Sequence, residues 1–223
     1  MSRLIPVITG DLSHTLFIPE LNEHYHSTFG AIRESEQVFI RAGLQYLESC
    51  PLTRILEIGM GTGLNVLLAW LHGKGRQGKI LYTAIEPFPV GEELCGRLNY
   101  PERTGDPDAV TVFREIHQSP WNSRISLTDS FHLIKIKNTV REVSLPESSA
   151  DLVFYDAFGP VVQPEMWTQE VFEKIFRILD HGGILVTYSS RGSVRRALSH
   201  AGFRVEKLPG PPGKRHITRA VKS

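Results

Sequence analysis

Cysteine is scarce in this 223-residue chain, which contains only Cys50 and Cys95. Two cysteines so far apart exclude a disulfide framework and a cysteine-rich zinc site. Long apolar runs are also missing, since the longest covers only residues 66–71, whereas a membrane-spanning helix needs about 20 residues. The first residues also lack the apolar core of a signal peptide. These absences predict a reduced, cytoplasmic protein with no membrane role.

Neither sign of charge dominates, because 25 Lys and Arg residues face 24 Asp and Glu residues, for a net charge of +1. The total charge therefore gives no indication of nucleic-acid binding. The distribution is uneven, however: from Arg191 to the end there are nine basic side chains and one acidic one. This basic quarter predicts a phosphate-binding surface, for which a merely solvated basic face is the alternative.

Strand and helix patterns alternate from residue 54 onwards. Predicted strands cover residues 54–58, 79–86, 150–156, 183–189, 204–208 and 216–221, with one or two more in 125–136. Predicted helices cover residues 64–71, 90–98, 108–118, 169–179 and 193–200. The alternation predicts an α/β fold with a mostly parallel sheet, helices on both faces, and an antiparallel C-terminal strand.

A small β/α extension is predicted to precede this pattern. Residues 5–9 and 15–18 read as a hairpin around Gly10 and Asp11, and residues 31–47 read as a helix. We therefore expect an N-terminal extension over residues 1–50, able to close over a ligand as a lid, and a main domain over residues 51–223.

The strongest local motif lies where the first predicted strand of the main domain ends. Gly59, Gly61 and Gly63 form a G-x-G-x-G turn between this strand and a helix. Glycines in such a turn let the backbone approach a ligand closely, and the helix start offers free N–H groups. Leu64 stands where a dinucleotide fingerprint has its third glycine, which disfavours NAD. A tight turn that binds nothing is the alternative.

Two carboxylates accompany the turn: Glu57 before it and Glu86 at the end of the next strand. Together these features resemble the S-adenosylmethionine (SAM) site of class I methyltransferases, which have a Rossmann-like fold. Glu57 is then expected to offset the sulfonium charge, Glu86 to accept hydrogen bonds from the ribose hydroxyls, and Phe88 to lie near the adenine. A solvated strand-end carboxylate is the alternative for Glu86.

A narrower resemblance covers nearly the whole chain. The segments G-D-L-S-H-T-L (10–16), E-H-Y-H-S (23–27), G-A-I-R-E-S (30–35), Y-D-A-F-G-P (155–160) and P-E-M-W-T (164–168) are similar to the methyltransferase domain of the MnmC family. The resemblance implies methyl transfer from SAM to the primary amine of 5-aminomethyl-2-thiouridine at the wobble position of tRNA. The product is 5-methylaminomethyl-2-thiouridine.

The resemblance also carries expectations about partners and about the adenine contact. Bifunctional members of the family carry an FAD-dependent oxidase domain, for which this chain is too short. A stand-alone methyltransferase is therefore the expectation, and whether a separate FAD-dependent oxidase is its partner stays open. Where the family usually has Gly-Asp, this chain has Lys137 and Asn138, and Asn138 is expected to bond the edge of the base.

Methyl transfer to an amine is an in-line displacement that needs a neutral nitrogen. Asp156, after the strand at 150–156, is the candidate to orient the amine and take its proton, and a turn cap is its alternative role. Phe158 and Trp167 are candidate stacking walls for a splayed-out base, or else core residues.

The remaining candidates lie near the two ends of the chain. Tyr25 and His26 belong to the expected lid, and Lys214 and Arg215 are candidate phosphate contacts. His24 and His26 lack a third convergent ligand, so no metal site is expected. Two alternatives stay open: an enzyme that acts on a small amine, including aminopropyl transfer, and a non-catalytic RNA-binding relative.

Overall fold

The computed structural model describes residues 4–223. Its centre is an eight-stranded sheet in the order β10-β11-β9-β8-β4-β5-β7-β6. The strands are β1 (Ile5–Ile8), β2 (His14–Ile18), β3 (Glu23–His24), β4 (Leu52–Ile58), β5 (Lys79–Ile85), β6 (Arg124–Thr128), β7 (Phe131–Ile136), β8 (Ala150–Tyr155), β9 (Leu179–Thr187), β10 (Arg204–Pro209) and β11 (His216–Val221). Neighbours among β4, β5, β7, β8 and β9 pair parallel. The sheet confirms the predicted fold, including antiparallel β11; β6 adds a second antiparallel edge.

Helices cover both faces of this sheet. They are α1 (Ala31–Ser35), α2 (Leu64–Gly73), α3 (Glu92–Cys95), α4 (Tyr100–Thr104), α5 (Ala109–Gln118), α6 (Gln169–Ile178) and α7 (Gly192–His200). Side chains of β8 alternate between the faces, as a strand requires. Leu152 and Phe154 join the cluster with α2 and α5, and Val153 and Tyr155 join the one with α6 and α7.

Two helical predictions differ from the structure, and one helix of the structure is not predicted. The helix expected over 31–47 is α1 followed by a π-helical turn (Glu36–Arg41), and it breaks before a 3-10 helix (Leu44–Leu47). The break falls at Gly43, where a Cβ would lie 2.5 Å from the Phe39 carbonyl oxygen, so only glycine fits. The helix expected over 90–98 shrinks to α3 between Gly91 and Gly96. Helix α4, with a proline in its first turn, was not predicted.

The N-terminal strands form a sheet of their own. β1 pairs antiparallel with β2, which confirms the expected hairpin, and β2 pairs with β3. The first three residues of the expected extension lie outside the described residues, and its boundary at residue 50 stays a prediction. No helix within residues 4–223 is both long and apolar enough to cross a bilayer.

Candidate functional site

A cavity of about 930 Å³ opens at the carboxyl ends of the central parallel strands. Its floor comes from the residues that follow β4, β5 and β8, and its roof from residues 23–29. β4 lies between β5 and β8. The chain crosses from β4 to β5 and β7 on one side, and from β8 to β9 on the other side. Ligands of open α/β sheets bind at such a switch point.

The glycine turn forms one wall of the cavity. Gly59 and Gly61 both have positive φ, 89° and 51°, which glycine adopts without strain. A Cβ on Gly59 would lie 2.7 Å from the carbonyl oxygen of Asp156, and one on Gly61 would lie 3.0 Å from the ring of Tyr25. Gly63 also has positive φ but faces His117, away from the cavity lining.

Glu86 ties the glycine turn to the end of β5. Its two carboxylate oxygens accept hydrogen bonds from the backbone N–H groups of Gly61 (3.0 Å) and Phe88 (2.9 Å). Burial raises the pKa of Glu86, and the two N–H donors oppose that rise. Phe88 stands at the rim with 78% of its surface exposed. The carboxylate is thus held at the cavity wall, where sequence reasoning expected it.

Asp156 lines the cavity next to Gly59 and accepts a hydrogen bond from Asn65 Nδ2 at 2.8 Å. Burial, together with the nearby Glu34 charge, raises the pKa of Asp156 to about 7. The same Asn65 nitrogen donates to Glu57 Oε1 at 2.9 Å. Glu57 is fully buried behind the wall, so the structure does not bring it to the cavity, where its expected role would place it.

Tyr25 and His26 of the roof contact Phe158, which follows β8, and the glycine turn. The rings of Tyr25 and Phe158 meet edge to face, 5.1 Å apart between centroids, and both line the cavity. His26 Nε2 lies 2.9 Å from the hydroxyl oxygen of Thr62 in the glycine turn. Burial lowers the pKa of His26 to about 4, so this imidazole is neutral at pH 7. The N-terminal segment is therefore joined to the glycine turn in this structure.

Lys214 belongs to the cavity rather than to the outer surface. Its Nζ pairs with Glu34 Oε1 at 2.5 Å and lies 3.9 Å from the centre of the Tyr188 ring. This ion pair joins α1 to the β10–β11 loop across the cavity. Arg215, the next residue, is exposed and does not line the cavity.

Two other predicted contacts lie off the cavity wall. Trp167 is buried, donates from Nε1 to the Phe158 carbonyl oxygen at 2.8 Å, and packs edge to face with Tyr155. Asn138 accepts a bond from the Thr139 N–H, and residues 139–142 rather than Asn138 line the cavity. In residues 4–223 no three His, Cys, Asp or Glu side chains are placed to hold a metal ion.

Three residues of the site were missed by the sequence reasoning: Asn65, Glu34 and Tyr188. Asn65 is a polar residue in the otherwise apolar first turns of α2, and this is a signal that sequence reasoning could have used. Glu34 and Tyr188 meet only through Lys214, a contact between distant parts of the chain. No local pattern marks such a contact.

The residues present suit SAM. The glycine turn exposes its backbone to the cavity at two positive-φ glycines, and the half-buried Glu86 carboxylate beside it is an acceptor for ribose hydroxyls. The sequence model of a family described as S-adenosyl-L-methionine-dependent methyltransferase matches residues 110–223, just over half of the chain. The chain therefore belongs to this family of SAM-dependent methyltransferases. This confirms SAM as the predicted cofactor.

Individual relatives of known name are similar to this chain over most of its length. The tRNA 5-methylaminomethyl-2-thiouridine biosynthesis bifunctional protein MnmC of Cupriavidus metallidurans is 31% identical, over 96% of this chain and 33% of its own length. MnmC of Chromobacterium violaceum is 32% identical, over 87% of this chain and 31% of its own. The chain thus spans about a third of the length of these relatives. These matches confirm the resemblance predicted from the sequence.

Solved structures agree with the sequence comparison. The crystal structure of MNMC2 from Aquifex aeolicus superposes with a TM-score of 0.78 and 28% identity, covering 99% of this chain and 70% of that one. Spermidine synthase from Thermotoga maritima superposes with a TM-score of 0.56 at 14% identity, covering 99% of this chain and 73% of that one, which shows a shared fold alone.

Proposed function

We propose that this protein transfers a methyl group from SAM to the primary amine of 5-aminomethyl-2-thiouridine at the wobble position of tRNA, forming 5-methylaminomethyl-2-thiouridine. Its similarity to MnmC proteins, named for the biosynthesis of this nucleoside in tRNA, supports the substrate. The observation that carries the proposal is the Asp156 carboxylate, which lines the cavity next to the glycine turn.

The chain's own residues suit the two tasks of binding and proton removal. Gly59, Gly61 and Glu86 would hold the cofactor, with Phe88 near its base. When bound, SAM supplies the methyl group: its S–CH₃ bond breaks as the N–CH₃ bond forms, leaving S-adenosylhomocysteine and a secondary ammonium. The entering amine is an ammonium at neutral pH and must first lose a proton. Asp156, with a pKa of about 7, is the proton acceptor.

Aromatic residues in the roof support recognition of a base taken out of its stack. RNA bases that are read individually are commonly stacked on aromatic side chains. Tyr25 and Phe158 present an aromatic pair to the cavity. We assign the stacking role to this pair, because Trp167 is committed to the core.

The position of the basic residues supports tRNA as the partner. The β10–β11 loop, with Arg215, and the start of α7, with Arg195 and Arg196, follow strand ends on the same edge of the sheet as the cavity. Desolvation lowers the pKa of His216, and the charges of Lys207, Arg215 and Arg195 lower it further, so all three cations lie near this imidazole. Phosphate contacts of this kind position an RNA without reading its sequence.

The cellular location of the protein and an oxidase that acts on the same nucleoside are also proposals. We expect the protein to act in the cytoplasm, where tRNA is modified, and an FAD-dependent oxidase to act on the same nucleoside. The likeness to MnmC relatives described as bifunctional supports a second activity in the same pathway of modification.

The proposal is tested by offering methyl-labelled SAM together with either tRNA from a strain that lacks this methylation or a set of small primary amines. Label is expected in tRNA and not in the amines. Label in the amines alone would contradict the proposal and favour the small-amine alternative, for which the fold shared with spermidine synthase leaves room. Binding of tRNA without any label transfer would favour the non-catalytic alternative.

A further inference from the structure

Two carboxylates, the fully buried Glu57 and the half-buried Asp156, share a single amide beside the cavity. Asn65 is 2% exposed, and its Nδ2 donates one hydrogen bond to Glu57 Oε1 and one to Asp156 Oδ2. Both N–H groups of the amide are thereby used. Asn65 sits in the first turn of α2, so the helix that follows the glycine turn fixes the distance between the two acids.

The two carboxylates have unequal surroundings. Glu57 is fully buried, and its polar neighbours besides Asp156 are the Asn65 amide and the Tyr82 hydroxyl. Asp156 faces the cavity, where solvent or a cationic ligand can reach it. Two acids so close together do not ionise independently, and the one in the less polar surroundings keeps its proton longer. The proton therefore resides on Glu57 and the charge on Asp156.

We propose that Asn65 is a positioning residue for Asp156, and that Glu57, by retaining its proton, leaves Asp156 as the only charged carboxylate of the pair. The identity of the amine that Asp156 serves rests on the proposed function, whereas the coupling of the two acids does not. Burial raises the pKa of Glu57 to about 8, above the value of about 7 for Asp156, which agrees with this order of ionisation.

Other charged and titratable groups around Glu57 and Asp156 also affect the pKa values of the two carboxyls. On Asp156, Glu34 of α1 raises the pKa, and Lys214 of the β10–β11 loop lowers it. Glu86, after β5, raises the pKa of Glu57. The remaining neighbours are phenols whose own pKa values are raised, so they stay neutral across the relevant range: Tyr82 on β5, Tyr100 on α4 and Tyr188 after β9.

A carboxyl NMR titration of the full chain, labelled with carbon-13 at aspartate side chains, tests the coupling without tRNA or cofactor. The Asp156 signal is assigned by its loss in Asp156→Asn. In the wild type it is expected to move in two steps, its own and a second one when Glu57 ionises. In Glu57→Gln the second step disappears. A single step in the wild type, unchanged in Glu57→Gln, would overturn the proposal.

Asn65→Leu keeps the volume of the side chain but removes the donor. Because that donor favours the ionised form, the midpoint of Asp156 is expected to rise by about one pH unit. The acid limb of single-turnover methyl transfer should move up equally, so that the lost activity returns at higher pH. Asp151→Asn, at the opposite end of β8, is the control and should move neither curve.

These outcomes separate the two proposals. An unchanged Asp156 midpoint in folded Asn65→Leu would contradict the positioning role. If Asn65→Leu does not fold, the Glu57→Gln titration still decides whether the two carboxylates are coupled. Failure to methylate tRNA with a normal two-step titration would refute the proposed substrate and leave the coupled pair intact.

Discussion

A Cβ on Gly59 would lie 2.7 Å from the carbonyl oxygen of Asp156, so the backbone of the glycine turn touches the strand end that carries the candidate proton acceptor. The proposed cofactor wall and the proposed substrate wall therefore meet at one backbone contact. A change that displaces this backbone is expected to disturb both.

Gly59→Ala tests this contact. The substitution places a side chain at a φ of 89° and against backbone that cannot move aside, so SAM affinity is expected to fall by about tenfold or more. Isothermal titration calorimetry measures it. Gly75→Ala is the matched control, because a Cβ there meets nothing within 4 Å. Equal affinity for both variants would contradict the site assignment.

Asp156→Asn tests the proton acceptor. The amide keeps the shape of the side chain but cannot take a proton, so single-turnover methyl transfer is expected to fall by about 100-fold. SAM affinity should be nearly unchanged, because the glycine turn and Glu86 are intact. In the wild type the rate should decline as the pH falls through about 7, where Asp156 becomes protonated. A wild-type rate in Asp156→Asn would remove Asp156 from the mechanism.

The buried proton on Glu57 also predicts a pH-dependent stability. In the unfolded chain Glu57 ionises near its ordinary pKa, whereas in the folded chain its pKa is about 8. Folding stability is therefore lost between these two values as the pH rises. Glu57→Gln, which cannot ionise, should raise the thermal unfolding midpoint at pH 8 much more than at pH 5. The same change at both pH values would show that Glu57 is ionised when buried.

Arg215→Gln tests whether the basic residues beside the cavity contact tRNA phosphates. Because Arg215 is exposed and unlike Lys214 has no place in the cavity, its loss should weaken tRNA binding and lower the slope of log affinity against log salt by about one. Arg204→Gln is the control, since Arg204 pairs with Glu206 at the far end of the β10–β11 ribbon. An identical salt slope for Arg215→Gln and the wild type would mean that Arg215 touches no phosphate.

Local patterns in the sequence predicted the parts of the site that lie within one strand–turn–helix unit. The glycine turn, Glu86 and Asp156 each follow a strand, and parallel strands bring such ends to one edge of a sheet. The expected contact of Glu57 with the cofactor leaves out the alternation of side chains along the strand, and the structure buries Glu57 away from the cavity. Side chains alternate along β4, so Glu57 points to the same face as Ile55, towards α2 and Asn65.

The rest depended on contacts between distant segments. The run of basic residues predicts Lys214 to be a phosphate contact, but its partners Glu34 and Tyr188 come from elsewhere in the chain. The sequence leaves Trp167 open between stacking and packing, and its packing partner Tyr155 belongs to β8. Neither arrangement has a periodicity that sequence alone displays.

Methyl transfer to the wobble nucleoside is tested by nucleoside mass spectrometry of tRNA from a strain that lacks the methylation, after incubation with the purified protein and isotopically labelled SAM. We expect the wild type to convert 5-aminomethyl-2-thiouridine to labelled 5-methylaminomethyl-2-thiouridine, and Asp156→Asn to do so about 100-fold more slowly. An unlabelled nucleoside pool, with SAM binding confirmed by calorimetry on the same preparation, would contradict this expectation.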